Sequence, residues 1–225
     1  MKVAVVSGGT KGIGRAISEL LLEKGFFVHI SARNIDEAFM HDNLMQHKID
    51  MSVKEDTKQF AKTVLDHSPA IHILVNNVGV FMPGKLMEEE DGNFETQMNT
   101  NLASTYHLTR SIMPGIKRSN TPYIFNICST ASITPYLNGG SYCISKYAQL
   151  GLTKVLREEL KADKIKVSAV LPGATLTNSW ADSDLPEERF TDPASVAKLI
   201  WTAYELGDTT VMEEILIRPM DGDIT

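Results

Sequence analysis

Cysteine is scarce in this sequence: its 225 residues hold two, Cys128 and Cys143. They make no CxxC pair and are too few for a disulfide framework. A reducing, cytoplasmic setting is therefore expected, and both thiols read as small packing residues. Long apolar runs are missing as well. No stretch approaches the roughly 20 residues of a membrane span, so no membrane partner is expected. Met1–Val6 runs straight into glycines, which reads as a buried strand and not as a leader with a cleavage site. An excess of basic residues is also absent. Lys and Arg number 22 against 28 Asp and Glu, for a net charge of −6, which argues against nucleic acid as a partner. The six histidines show no HxxxH or similar spacing, so no metal is expected. Internal repeats and low-complexity linkers are lacking too.

What is present is alternation. Hydrophobic content of 43% and charged content of 22% are ordinary for a globular protein, and the length suits one domain over residues 1–225. Strands are expected at Lys2–Ser7, Phe27–Ser31, Met45–Ile49, Ile71–Val75, Tyr123–Cys128, Ile165–Val170 and Glu214–Arg218. Most are short apolar runs without alternation, as in strands covered on both faces. Helical stripes lie between them: Ile13, Ile17, Leu20 and Leu21; Phe60, Val64 and Leu65; Leu150, Leu152, Val155, Leu156 and Leu160. A last one starts at Pro193 with Val196, Leu199, Ile200 and Ala203, and Asp192 suits its N-cap. This order predicts an α/β fold, a doubly wound parallel sheet of about seven strands with helices on both faces, the Rossmann arrangement. The irregular stretch 174–191 follows a strand and is expected at the carboxyl edge as a substrate loop. Its Leu176, Trp180, Leu185 and Phe190 could line a pocket or simply pack. Its Asp182, Asp184, Glu187 and Glu188 read as a solvated face.

Gly8, Gly12 and Gly14 follow a strand and open a helix, where glycine lets a pyrophosphate approach free N–H groups. The spacing is GxxxGxG, and a purely structural turn is the plainer alternative. A ribose 2′-OH is usually bound by an acid ending the second strand. Here that strand ends in Ser31-Ala32-Arg33. Lys11 adds a second cation, and two cations without a carboxylate suit a 2′-phosphate, hence NADP(H) as cofactor.

Tyr142 precedes Lys146 by four residues, and Ser129 lies thirteen residues before Tyr142. Alone, Ser129 is an ordinary strand-end hydroxyl and Tyr142 a core-edge aromatic. Beside a phosphate-binding turn, the set describes a site that moves a hydride and a proton together. A free phenol has a pKa of about 10, too high for a base at neutral pH. The charge of Lys146, one helical turn away, should favour phenolate.

With these residues in view, the chain resembles the classical short-chain dehydrogenases/reductases along nearly its whole length. Gly8-Gly9-Thr10-Lys11-Gly12-Ile13-Gly14 is similar to that family's cofactor turn, with Ser7 where threonine is usual. Asp50 stands where the family has an aspartate against the adenine ring. Asn76-Asn77-Val78-Gly79 is similar to its Asn-Asn-Ala-Gly, which brings in Asn77 and Gly79; the valine adds two methyl groups and is expected to be tolerated. Pro172-Gly173 followed by Thr177 matches the segment near the nicotinamide. Lys11 and Arg33 occupy positions that are basic in NADP-preferring members. Asn101, Ser129, Tyr142 and Lys146 fall on the catalytic residues.

The resemblance implies a carbonyl or alcohol substrate and Tyr142 as acid in reduction and base in oxidation. It further implies Lys146 on the nicotinamide ribose, Ser129 on the substrate oxygen, and Asn101 anchoring a water that relays protons past Lys146. In the family, helices matching Asn101–Lys117 and Tyr142–Lys161 build interfaces, so a homodimer or homotetramer is expected. Many members extend beyond the counterpart of Glu213–Pro219, and any contact made by such a tail is not carried over. Sugar-nucleotide epimerases share the tyrosine and lysine but have another glycine spacing and an additional domain. A non-catalytic NADP-sensing protein and a 3-oxoacyl-carrier reductase, with Lys117 and Arg118 meeting an acidic carrier, stay as alternatives.

Overall fold

The computed structural model describes residues 1–180 and 183–224. Each apolar run expected to be a strand is one: β1 (Val3–Ser7), β2 (Phe27–Ala32), β3 (Leu44–Lys48), β4 (Ile73–Asn76), β5 (Tyr123–Ile127), β6 (Lys166–Pro172) and β7 (Glu214–Ile217). The largest difference in a strand start is at β4. Ile71 donates its N–H to Gly115 O at 3.0 Å, at the end of a helix, so pairing with β1 begins only at Ile73. The order across the sheet is β3-β2-β1-β4-β5-β6-β7, with every pairing parallel. The strand order reverses between β1 and β4, which opens a crevice at their carboxyl ends.

Helices α1 (Gly12–Glu23), α2 (Lys54–His67), α3 (Asn93–Gln97), α4 (Ser104–Ile116), α5 (Gly140–Leu160) and α6 (Pro193–Glu205) cover both faces. Successive side chains of a strand point to opposite faces. Ala4 and Val6 of β1 cluster with Ile17 and Leu21 of α1 and Val196 and Ile200 of α6. Val5 clusters with Phe60 and Val64 of α2 and Leu108 and Ile112 of α4. Full burial of such a side chain stabilises by roughly 1.5–3 kcal/mol. Asp192 is the N-cap of α6, its Oδ1 accepting from Ala194 N at 2.8 Å. One stripe residue is corrected: Val155 is 52% exposed. The sheet-facing side of α5 passes through Lys146, Gln149, Leu150 and Thr153, and Val155 stands about 200° round from Thr153. The segment Asn93–Ile116 showed little stripe because its first half is polar; Leu108, Ile112 and Ile116, at steps of four, are its buried row.

The loop 174–191 leaves the carboxyl end of β6 and is closed at its base, with Leu176 N donating to Thr191 O and Thr191 N to Ala174 O, each at 2.9 Å. Phe190 is buried against Trp180, ring centroids 5.3 Å apart, so it packs instead of lining a pocket. Asp184, Glu187 and Glu188 face solvent, and Asp182 lies outside the described residues. Arg189 donates to the carbonyls of Gly222 and Asp223 at 2.8 and 3.1 Å, tying the loop to the last described turn. Among the described residues no helix is long and apolar enough to cross a membrane.

A histidine cluster stands at the β2–β3 edge. His29 is fully buried, its Nδ1 3.1 Å from His47 Nε2 and its Nε2 3.0 Å from Ser68 Oγ. Burial, followed by the neighbouring His47 and His67, lowers its pKa from 6.5 to about 3. The unfolded chain therefore binds a proton that the folded chain refuses. Stability from this group is complete above about pH 6.5 and drains as pH falls toward 3, by up to about 1.4 kcal/mol per pH unit. Thermal unfolding should show Tm falling through that window in the wild type and falling less steeply in His29→Leu. Equal slopes would show that His29 is not the group responsible.

Candidate functional site

The carboxyl ends of β1, β2, β4, β5 and β6 surround a cleft of about 750 Å³. Its floor is the turn after β1. Gly8 and Gly12 adopt φ of +68° and +52°, and Gly8 and Gly9 donate their N–H groups to Ser31 O at 2.9 and 3.2 Å. Lys11 is the N-cap of α1 and offers no side-chain hydrogen bond to it, so the first N–H groups of the helix are left for a ligand. Ser7 knits this turn to β4: its hydroxyl accepts from Asn77 N at 2.9 Å and Val78 N at 3.1 Å. Asn77 answers through Nδ2, which donates to Ser7 O at 2.9 Å and Gly8 O at 3.0 Å.

Around the floor stand Thr10, Lys11, Ile13, Arg33, Asp50, Asn77, Gly79, Pro172, Gly173 and Thr177, as the sequence led one to expect. Gly14 and Asn101 do not line the cleft and act one layer behind it. Asp50 Oδ1 accepts from Ser52 N at 2.9 Å and from its hydroxyl at 2.7 Å. These two bonds, with a smaller contribution from the Arg33 charge, hold its carboxyl below the usual range. Sequence reasoning missed Phe81, Thr96, Thr100, Asn178 and Ser179, which also line the cleft. Phe81, Asn178 and Ser179 could have been marked only by their place in segments that follow β4 and β6 at the carboxyl edge, and Thr96 and Thr100, on α3 and in the turn Met98–Ala103, carried no such mark.

Opposite the glycines, Ser129, Tyr142 and Lys146 line the same cleft. Ser129 stands two residues past the end of β5. Its Oγ accepts from Ala131 N at 3.1 Å, and its N–H donates to Ser132 Oγ at 3.2 Å, which fixes its orientation. Tyr142 and Lys146 extend from the first turns of α5. That helix is capped from a distance: Glu89 Oε1 accepts from Ser141 N at 2.7 Å, and its other oxygen accepts from the Ser141 hydroxyl. The Phe81 ring meets Tyr142 edge-on at 4.9 Å and Tyr136 at 6.4 Å. Burial raises the pKa of Tyr142, and the Ser129 hydroxyl pulls it part of the way back. Burial therefore outweighs the opposing interactions within the chain. Lys146 Nζ stands 5.9 Å from the Tyr142 ring centroid and donates to Ile127 O at 3.0 Å. Burial brings its own pKa down from 10.5 to about 8.

Asn101 is fully buried in a π turn, Met98–Ala103, between α3 and α4. Such wide turns recur at functional sites. Its Oδ1 accepts from Val80 N at 2.7 Å, and its Nδ2 donates to Val80 O at 3.0 Å and Ser145 Oγ at 2.9 Å. The side chain thus joins the loop after β4 to α5. Lys117 and Arg118 lie at the other edge of the sheet. Lys117 pairs with Asp163 at 2.7 Å, and Arg118 donates to Pro69 O at 3.3 Å.

A family model described as short chain dehydrogenase matches residues 2–188. Sepiapterin reductase of Chlorobaculum tepidum is 28% identical over 99% of this chain and 98% of its own. The 3-oxoacyl-[acyl-carrier-protein] reductase of Haemophilus influenzae is 30% identical over 88% of each. A metagenomic short-chain oxidoreductase solved in complex with NADP superposes with a TM-score of 0.84 at 28% identity, over 97% of both chains.

Proposed function

This chain belongs to the short-chain dehydrogenase/reductase family of oxidoreductases, and on that premise we propose that it is an NADP(H)-dependent enzyme interconverting a ketone or aldehyde with its alcohol. The observation that carries the reading is one cleft lined both by the glycine turn with Lys11 and Arg33 and by Ser129, Tyr142 and Lys146. The residues fit the cofactor: a glycine floor and the free start of α1 suit a pyrophosphate, and the residue directly after β2 is Arg33 and not an acid that would repel a 2′-phosphate. Lys11 and Arg33 would hold that phosphate, and Asp50 would border the adenine. Asn77, Gly79, Pro172, Gly173 and Thr177 would enclose the nicotinamide end. When bound, NADPH supplies the hydride for the carbonyl carbon.

The chain supplies the rest. Ser129 holds the carbonyl oxygen by a hydrogen bond and stabilises the charge that develops there. Tyr142 gives its phenolic proton to that oxygen as the alcohol forms, and takes it back in the reverse direction. Lys146 favours the resulting phenolate by its charge. Asn101 braces the loop after β4 against α5, so that both walls of the cleft keep their spacing. Phe81 and Tyr136 favour substrates with an apolar flank. Helices α4 and α5 expose Tyr106, Ile144, Tyr147 and Val155, which suit contact with a second copy.

The test is loss of NADPH absorbance against a panel of ketones, aldehydes and a 3-oxoacyl thioester, with NADH in parallel. NADPH should be preferred, and Lys11→Ala with Arg33→Ala should reduce that preference tenfold or more, about one charged hydrogen bond per residue. Equal use of NADH by the wild type would overturn the cofactor assignment. Binding of NADPH with no turnover of any compound would favour the sensor reading.

A further inference from the structure

Helix α5 carries a buried polar side chain that the chemistry above does not use. Gln149 is fully buried, one turn beyond Lys146. An amide in that position is destabilising unless its atoms are bonded. Its Oε1 accepts from Lys146 Nζ at 2.9 Å. Its Nε2 donates to Thr105 Oγ1 at 3.1 Å. The Thr105 hydroxyl donates in turn to the Asn101 carbonyl at 3.3 Å. Every donor in this row points the same way, from the ammonium to the π turn, so the bonds polarise one another.

We propose that Gln149 is a positioning residue for Lys146: anchored on Thr105, its amide fixes the ammonium at the cleft wall and links it to Asn101. Ile127 O and Gln149 Oε1 together take two of the three N–H bonds. A tetrahedral ammonium with two bonds fixed has its third direction fixed as well, free for a ligand in the cleft. The titratable groups facing Lys146 are Tyr142 on its own helix and the Cys128 thiol at the end of β5. Burial pushes that thiol up to about 11, so it is neutral. Gly79 faces the ammonium without a side chain; a Cβ there would stand 3.5 Å from Nζ. Hydrogen bonds to neutral oxygens therefore keep this buried ammonium charged, and Gln149 supplies one of two.

The inference rests on Lys146 as the partner of Tyr142, and its test separates the two. The titration of Lys146 is followed by NMR on the full chain with isotope-labelled lysine, assigned by Lys146→Arg, in the wild type, Gln149→Met and Gln149→Glu. Methionine keeps the volume and loses the acceptor, so the Lys146 midpoint should fall by roughly one unit. Glutamate supplies a charged acceptor, so the midpoint should rise. The alkaline limb of NADPH turnover should move in the same two directions. Midpoints unchanged in both variants, with only Tm lowered, would overturn the proposal and leave Gln149 a packing residue. The NMR titration needs no turnover, so an inactive wild type would sink the functional reading alone. Should Gln149→Met fail to fold, Thr105→Val removes the anchor of the same row and should lower the midpoint in the same sense.

Discussion

Tyr142→Phe is expected to lower kcat/KM for carbonyl reduction by a factor of about 10³, within the range that a positioned acid contributes. The substitution removes one oxygen. The ring keeps its edge contact with Phe81 at 4.9 Å, and the helix keeps its cap on Glu89. Affinity for NADPH should therefore stay within about threefold and Tm nearly unchanged, because surrounding packing is conserved. That separation makes the test sharp. Fluorescence titration of NADPH reads the binding half, and absorbance at saturating substrate reads the chemical half. A variant that retains a tenth of the activity would exclude Tyr142 as the acid and move attention to Ser129, whose hydroxyl borders the same space.

The second large effect concerns a single methyl group. Gly14 lies in the first turn of α1, where a Cβ would stand 2.2 Å from Gly8 O and 2.4 Å from Asn77 Nδ2. Both atoms belong to the knot that joins the glycine turn to β4, so neither can give way without opening the cleft floor. Gly14→Ala should weaken NADPH binding more than a hundredfold and destabilise by about 3 kcal/mol, a drop in Tm of roughly 6–12 °C at this chain length. Gly151→Ala is the control. Its Cβ would meet nothing within 4 Å in the interior of α5. There alanine is the better helix former, by about 0.5–1 kcal/mol. The same chemical change is thus expected with opposite signs on two helices. Equal effects would show that local helix propensity, and not the close approach at Gly14, governs both.

The parts of the fold legible from sequence are those written in local periodicity. Ala4-Val5-Val6 or Ile124-Phe125 can be recognised as strands because both faces are covered, and the glycine turn because three backbone positions demand a missing Cβ. Tyr142 and Lys146 were legible because one helical turn separates them. Other parts depend on residues far apart in the chain. Glu89 caps α5 from 52 positions away, and nothing around Glu89 in the acidic run Glu88-Glu89-Glu90 distinguishes it from a solvated face. Ser7 looks like a conservative exchange until its hydroxyl is seen to collect two N–H groups from the turn directly after β4. Gln149 hides among Leu150 and Leu152, because a pattern read as apolar or polar cannot register an amide bonded on both ends. Val155 is the converse, an apolar residue whose helical phase turns it outward.

The placement of β1 between β2 and β4 has a consequence for the chain during its own synthesis. Val3 pairs with Phe27, a neighbour soon available, but Ala4 pairs on its other side with Ile73. At about 5–20 residues per second, β1 spends several seconds with one edge of unpaired N–H and C=O groups open. Such an edge pairs readily with other chains. Translation stalled between β2 and β4 would leave a sticky fragment, whereas release after Asn76 would leave four contiguous strands, β3-β2-β1-β4, with β1 covered on both sides. The residues that floor the cleft are thus made well before the strand that covers them, and the passage of β4 from the ribosome is the moment at which they become safe.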